Sequence, residues 1–233
     1  MKALRYAFIR TLPVLCGYLF LGLAFGLLLQ EGGYDLRWAL LISTCVYAGS
    51  MQFVMLSFLG TDISLLSVAL MTLSVNCRHV FYGLSMLSTY KGMGRVFPYM
   101  VFSLTDETYS LQISPEPIPA GLDEKRVRFF MSLLDQVYWV LGSAAGAALG
   151  QLLPFDMTGI DFAMTALFVV IFVDQWRAAS SHLPAIVGVA CALVFLLLLG
   201  ADSFLLPALI TACVLLLALQ APITQKEAIR HGA

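Results

Sequence analysis

The amino acids of this chain predict an all-α fold, a polytopic transmembrane helix bundle of about seven to eight membrane segments, some of them broken or re-entrant. Three observations predict it. Of 233 residues, 60% are hydrophobic and 12% are charged, against about 45–50% and about 25% in soluble domains. The apolar residues gather into long uncharged runs, more apolar surface than one soluble core could hide. None of these runs alternates apolar and polar residues as a transmembrane strand must, so a β-barrel is excluded. The net charge of -1 gives no signal for nucleic acid as a partner.

In chain order, uncharged runs lie near 11–29, 38–59, 63–77 (continuing past Arg78 and His79 to about 90), 136–155, 183–201 and 203–225. Each is long enough to cross a hydrocarbon core of about 30 Å at about 1.5 Å per residue. The run 157–176 also crosses if Asp161 and Asp174 sit at its two ends, where carboxylates reach water. The run 96–113 begins with half a span, VFPYMVFSLT, and then meets Asp106 and Glu107. It is either a short crossing or a re-entrant half-helix. Lys2, Arg5 and Arg10 precede the first run, which is long and lacks a small-residue cleavage site, so a retained span rather than a signal peptide is expected.

Basic residues orient the spans. Lys2, Arg5 and Arg10, then Lys125, Arg126 and Arg128, then Lys226 and Arg230 should all face the cytoplasm, which puts both termini there and the protein in the cell inner membrane. Four crossings after Arg128 satisfy this. Before it an even number is needed, so either 96–113 crosses or one of its neighbours is re-entrant, and Lys91 and Arg95 favour the second. The chain reads as one membrane domain, 1–233. Its halves, 11–113 and 129–225, are joined by the linker SPEPIPAGLDEKRVR at 114–128, whose prolines oppose regular helix.

Polar residues far from span ends are expensive in lipid and mark function. The first cluster is Tyr47, Ser50 and Gln52 in YAGSMQF. There Ala48 and Gly49 permit either a tight helix crossing, with the polar groups bonding a neighbour, or a helix break whose free N–H groups could bind a carboxylate. The second is NCRHVFYG. Arg78 lies about 20 Å along its helix at 1.5 Å per residue, and Ser74, Arg78, His79, Tyr82 and Ser85 share one polar face with Asn76 beside it. Against a solute site stands a structural ion pair or an arginine reaching the interface. The third is TDET, Thr105–Thr108. Adjacent Asp106 and Glu107 cannot share a helix face, so one could face a pathway while the other caps a helix or meets Arg78, unless both lie in a solvated loop. Arg78 or broken-helix N–H groups suit a substrate carboxylate and a carboxyl oxygen suits an ammonium. His79, Asp106 and Glu107 are candidates to carry protons.

Gly142, Gly146 and Gly150 form GxxxGxxxG, a smooth surface for close packing against a helix of this chain or of a second subunit. Asp135, Asp161, Asp174 and Trp176 sit near the ends of the predicted spans, where solvated or interfacial positions are expected. The cysteines, in apolar runs without metal spacing, read as small buried residues. No cofactor or metal is expected.

The clusters, in this order, resemble the AzlC family of branched-chain amino acid permeases, the large subunit of a two-component exporter. The resemblance is carried by TLPVLCGYLFLGLAFG at 11–26, YAGSMQF, NCRHVFYGLS, TDETYSL and GIDFAMTALF, and extends over most of the chain. It implies export of branched-chain or other apolar amino acids, driven by an ion gradient, with a small membrane partner of the AzlD type.

The residues by themselves support a polar site inside a membrane bundle. No P-loop is present to hydrolyse nucleotide, which leaves secondary transport or a channel. A membrane scaffold would leave the Arg78 and His79 face unexplained. An intramembrane enzyme would need Ser50 and His79 as nucleophile and base, but Ser50 stands in AGSM and not in a G-x-S-x-G turn.

Overall fold

A computed structural model describes residues 2–60, 62–113, 118–152, 162–179, 181–200 and 204–219, with some side chains inside the later helices and that of Ser74 left outside the description. Among the described residues there are ten α-helices and no strand: α1 (Lys2–Glu31), α2 (Leu36–Cys45), α3 (Gly49–Leu56), α4 (Leu65–Lys91), α5 (Phe97–Phe102), α6 (Asp106–Gln112), α7 (Glu124–Leu152), α8 (Phe162–Ala178), α9 (Leu183–Leu199) and α10 (Leu205–Ala218). Among the described residues α1 is by length and composition able to cross a membrane unaided, and Leu65–Leu73 with Val75–Lys91 of α4, bent by 44°, have the length and composition of a broken span or a re-entrant loop.

Two predicted runs are interrupted. The run 38–59 divides into α2 and α3, because the chain leaves the helix at 46–48 and Ala48 (φ −141°, ψ 86°) resumes it at Gly49. The run 96–113 divides into α5 and α6, each only about 10 Å long at 1.5 Å per residue, so neither crosses alone. Their separation has a local cause. The Thr105 hydroxyl accepts the Thr108 N–H and caps α6, offering the backbone an alternative to continuing α5.

The helix α7 begins earlier than expected, inside the linker 114–128. Asp123 accepts the N–H groups of Lys125 and Arg126, a cap that starts the helix at Glu124 and puts the basic cluster in its first turns. Residues 114–117, 153–161 (with Asp161) and 220–233 (with Lys226 and Arg230) lie outside the described residues, as does the Asp174 side chain.

By packing, the chain separates into two compact units, Met1–Val68 with Val75–Met164, and Ala69–Ser74 with Thr165–Ala233. In the first, α1 and α7 run against each other on glycines. A methyl group on Gly26 would overlap the Ser143 carbonyl, one on Gly146 would overlap that of Leu23, and Gly22 and Gly142 are similarly closed by backbone. The partner of the Gly142, Gly146 and Gly150 surface is therefore α1 of the same chain; Gly150 faces the Gln30 side chain. Around this crossing pack Tyr18, Phe25, Leu29, Ile42, Phe53, Trp139 and Ala147. The outside stays apolar, with Phe20, Phe81 and Leu84 among the exposed side chains, as a lipid-facing surface requires.

In the second unit α9 and α10 meet at Cys191, Ala208 and Ala212, and Trp176 stacks on His182 with ring centroids 4.1 Å apart. The cysteines are not uniformly buried: Cys191 is, Cys77 is half-buried, and Cys16, Cys45 and Cys213 lie on the exposed apolar surface.

Candidate functional site

The site begins at the interruption between α2 and α3. Tyr47 and Ser50 are buried there, and the first carbonyl–amide bond of α3 is made by the Gln52 N–H to Ala48. The N–H groups of Gly49, Ser50 and Met51 thus precede the helical ladder and carry the positive end of its dipole. Trp139 holds the bend in place: its ring lies so close that a side chain on Gly49 would press on it, and its Nε1–H donates to Gln52 Oε1 at 2.7 Å. Gln52 Nε2 in turn donates to the Ile42 carbonyl at 3.1 Å. Gln52 is 0% exposed, so both ends of its amide are spent on clasping α2, α3 and α7.

From α4, Arg78 reaches this bend. Its Nη2 donates to Ser50 Oγ at 2.5 Å and meets Asp106 Oδ2 at 2.9 Å. The two charged side chains are 23% and 22% exposed, removed from bulk water without being sealed. Arg78 Nε, Asp106 Oδ1, Asn76 Oδ1 and the Tyr47 hydroxyl are buried without a hydrogen-bond partner among the described residues. Such atoms are uncommon enough in folded proteins to call for an explanation. All four belong to the ion pair or to residues within three positions of Arg78 or Ser50.

The other members of the α4 face sit at its side. His79 Nδ1 lies 3.2 Å from the Asn76 carbonyl, and its ring meets Tyr82 edge-on at 5.8 Å. Tyr82 stacks on Tyr109 of α6 at 4.5 Å, and Tyr109 donates to Ser85 at 3.2 Å. These aromatic contacts join α4 to α6 beside the ion pair. Ser50 and His79 have different partners, Arg78 and Asn76, and form no nucleophile–base pair.

The adjacent acids of α6 diverge, as two successive helical residues must. Asp106 meets Arg78, whereas Glu107 accepts from the Tyr18 hydroxyl of α1 at 2.7 Å. Thr105, not either acid, supplies the cap. The Tyr18 oxygen also lies 2.7 Å from Thr105 Oγ1, Thr105 bonds Thr108 at 3.1 Å, and Thr108 donates to Asp135 Oδ2 at 2.7 Å. This connected row of oxygens ties α1, α6 and α7 together.

Of the residues the sequence singled out, Ser50, Arg78 and Asp106 come together from three separate clusters. Tyr47 and Asn76 add unpaired oxygens, Tyr82 and His79 flank the pair, Glu107 turns to α1, and Gln52 is occupied. Asp135, expected near a span end, is instead 0% exposed, because α7 starts at Glu124 and places it about 16 Å into the helix at 1.5 Å per residue. The Asp123 cap followed by basic residues was the signal for that earlier start. Tyr18 and Trp139 gave no comparable signal, since a hydroxyl or indole in an apolar run looks the same whether it faces lipid or protein, and Thr108 was marked only as the last residue of TDET.

The family described as AzlC protein matches residues 13–153. Among relatives, the branched-chain amino acid transport protein AzlC of Bacillus subtilis is 37% identical over 97% of this chain and 88% of its own length. An uncharacterized membrane protein of Helicobacter pylori is 41% identical over 90% of this chain and 92% of its own. The inner membrane protein YgaZ of Escherichia coli is 26% identical over 73% and 72%. No solved structure matches the chain. The matched stretch takes in every residue of the Arg78–Asp106 site and the oxygen row behind it, and with near full-length relatives on top of it this all-helical membrane protein belongs to the AzlC family.

Proposed function

We propose that this chain is the large subunit of a secondary transporter that exports branched-chain or other apolar amino acids across the cytoplasmic membrane, with a small AzlD-type membrane subunit as partner. The single observation that carries the reading is the half-buried Arg78–Asp106 pair with unused polar atoms on both members. An amino acid is a zwitterion. Its carboxylate suits the guanidinium, whose Nε–H is free, together with the N–H groups that open α3. Its ammonium suits the Asp106 carboxylate, whose Oδ1 is free. Binding exchanges one internal ion pair for two to the solute, so neither buried charge is left alone at any stage. In this reading Tyr47, Ser50, Asn76 and Tyr82 form the polar rim and His79 and Glu107 exchange protons. The amino-acid substrate named for the Bacillus subtilis relative supports the same solute class. Both termini are taken to be cytoplasmic, and the membrane portion is taken to act as one transport domain.

Counterflow of labelled leucine, valine and methionine in proteoliposomes, with and without the small subunit, tests solute and partner together. Saturable uptake driven by trans substrate is expected. Flux that neither saturates nor responds to trans substrate would make the protein a channel.

A further inference from the structure

The row of oxygens behind the ion pair is one hydrogen short. It contains four oxygen–oxygen contacts: Glu107 to Tyr18 at 2.7 Å, Tyr18 to Thr105 at 2.7 Å, Thr105 to Thr108 at 3.1 Å and Thr108 to Asp135 at 2.7 Å. Each lies within hydrogen-bonding distance, and each needs one hydrogen between its oxygens. Tyr18, Thr105 and Thr108 carry one hydroxyl hydrogen apiece, and ionised carboxylates carry none. The Thr108 backbone N–H already points at Thr105 and cannot serve the row. With both acids ionised, one pair of oxygens would face each other bare. A second observation points the same way: Asp135 is 0% exposed and its Oδ1 has no hydrogen-bond partner, a setting that solvates a carboxylate charge poorly.

We infer that Glu107 and Asp135 share a single proton through Tyr18, Thr105 and Thr108, forming a proton-binding site separate from the Arg78–Asp106 pair. With the proton on Glu107, the hydroxyls all donate toward Asp135. With it on Asp135, they all donate toward Glu107. Passage between the two arrangements breaks the O–H bond at one carboxyl, forms one at the other, and hands one hydrogen forward across each hydroxyl, so no other donor or acceptor takes part. Asp135 is closed to solvent, whereas Glu107 keeps some exposure and is the end nearer to it. The other ionisable groups within electrostatic reach of the pair are Tyr47 between α2 and α3, Arg78 and Tyr82 on α4, Tyr99 on α5, Asp106 on α6 and Tyr138 on α7. The inference does not rest on which solute the protein carries.

Infrared difference spectroscopy of the purified full chain in lipid nanodiscs tests it through the C=O stretch of a protonated, deuterium-sensitive carboxyl group. Wild-type protein at neutral pH should show the band. Glu107→Gln offers an amide hydrogen to Tyr18 and Asp135→Asn offers one to Thr108, so each variant completes the row unaided and should remove the band entirely. Persistence of the band in either variant, or its absence from wild type, overturns the proposal. Should Asp135→Asn fold poorly, Glu107→Gln alone decides the matter, and should Glu107→Gln fold poorly, Tyr18→Phe provides a second test beside Asp135→Asn. The Tyr18 change leaves two hydroxyl hydrogens for two contacts on the Asp135 side, so adding Asp135→Asn in that background should change nothing. Loss of the band on that addition overturns the shared proton.

Discussion

Arg78 of α4 and Asp106 at the head of α6 meet at 2.9 Å across the interruption between α2 and α3, with Ser50 of α3 bonded to the same guanidinium nitrogen. The Arg78 guanidinium therefore joins three short or broken elements, α3, α4 and α6, at one point.

Removal of either charge should stop transport. Arg78→Ala and Asp106→Asn are each expected to lower leucine counterflow at least about tenfold, equal to about 1.4 kcal/mol, while immunoblots show the usual amount of protein in the membrane. Normal counterflow by both variants would remove the site.

Accessibility should divide the two sides of α4. In a cysteine-free background, Asn76→Cys should react with a small polar thiol reagent and be protected by leucine, because Asn76 flanks the pair. Phe81→Cys, on the exposed apolar side, should react no more slowly with leucine than without it. Leucine protection at 81 and none at 76 would reverse the assignment of faces.

The glycine contact should be intolerant of a single methyl group. Gly26→Ala forces α1 from α7 and is expected to cost about 1–3 kcal/mol, read as a lower thermal unfolding temperature in detergent. Gly17, on the same helix, has nothing within 4 Å of its missing Cβ. Gly17→Ala should be neutral or stabilising by up to about 1 kcal/mol through helix propensity. Equal losses at both positions would show that close packing is not the cause.

The Trp139–Gln52 bond should be a structural coupling. Trp139→Phe strands the buried Gln52 Oε1 and is expected to cost about 1–3 kcal/mol. Gln52→Met added to it should cost less than the sum of the two single changes, since no orphaned oxygen remains. The KM for leucine should stay unchanged in Gln52→Met. A KM raised tenfold with normal stability would return Gln52 to the substrate site.

The sequence alone determined that the chain is helical and lives in lipid, because uncharged runs of bilayer length have no other economical solvent. It also marked YAGSMQF, NCRHVFYG and TDET, since polar groups at membrane depth persist only where something satisfies or uses them. Which of those groups meet was beyond it. Arg78 could have paired with Asp106, with Glu107 or with water, and only the packing of α3, α4 and α6 selected Asp106. Gln52 looked as available as Ser50 until Trp139 of α7 was seen to occupy it. Asp135 was placed at a span end because hydropathy registers where charge stops and not where a helix starts; the Asp123 cap carried α7 a further three turns back and drew Asp135 into the interior. Composition and periodicity are local and survive in one dimension, whereas partnership between polar atoms depends on angles of a few ångströms' consequence between elements distant in the chain, and that only the folded bundle decides.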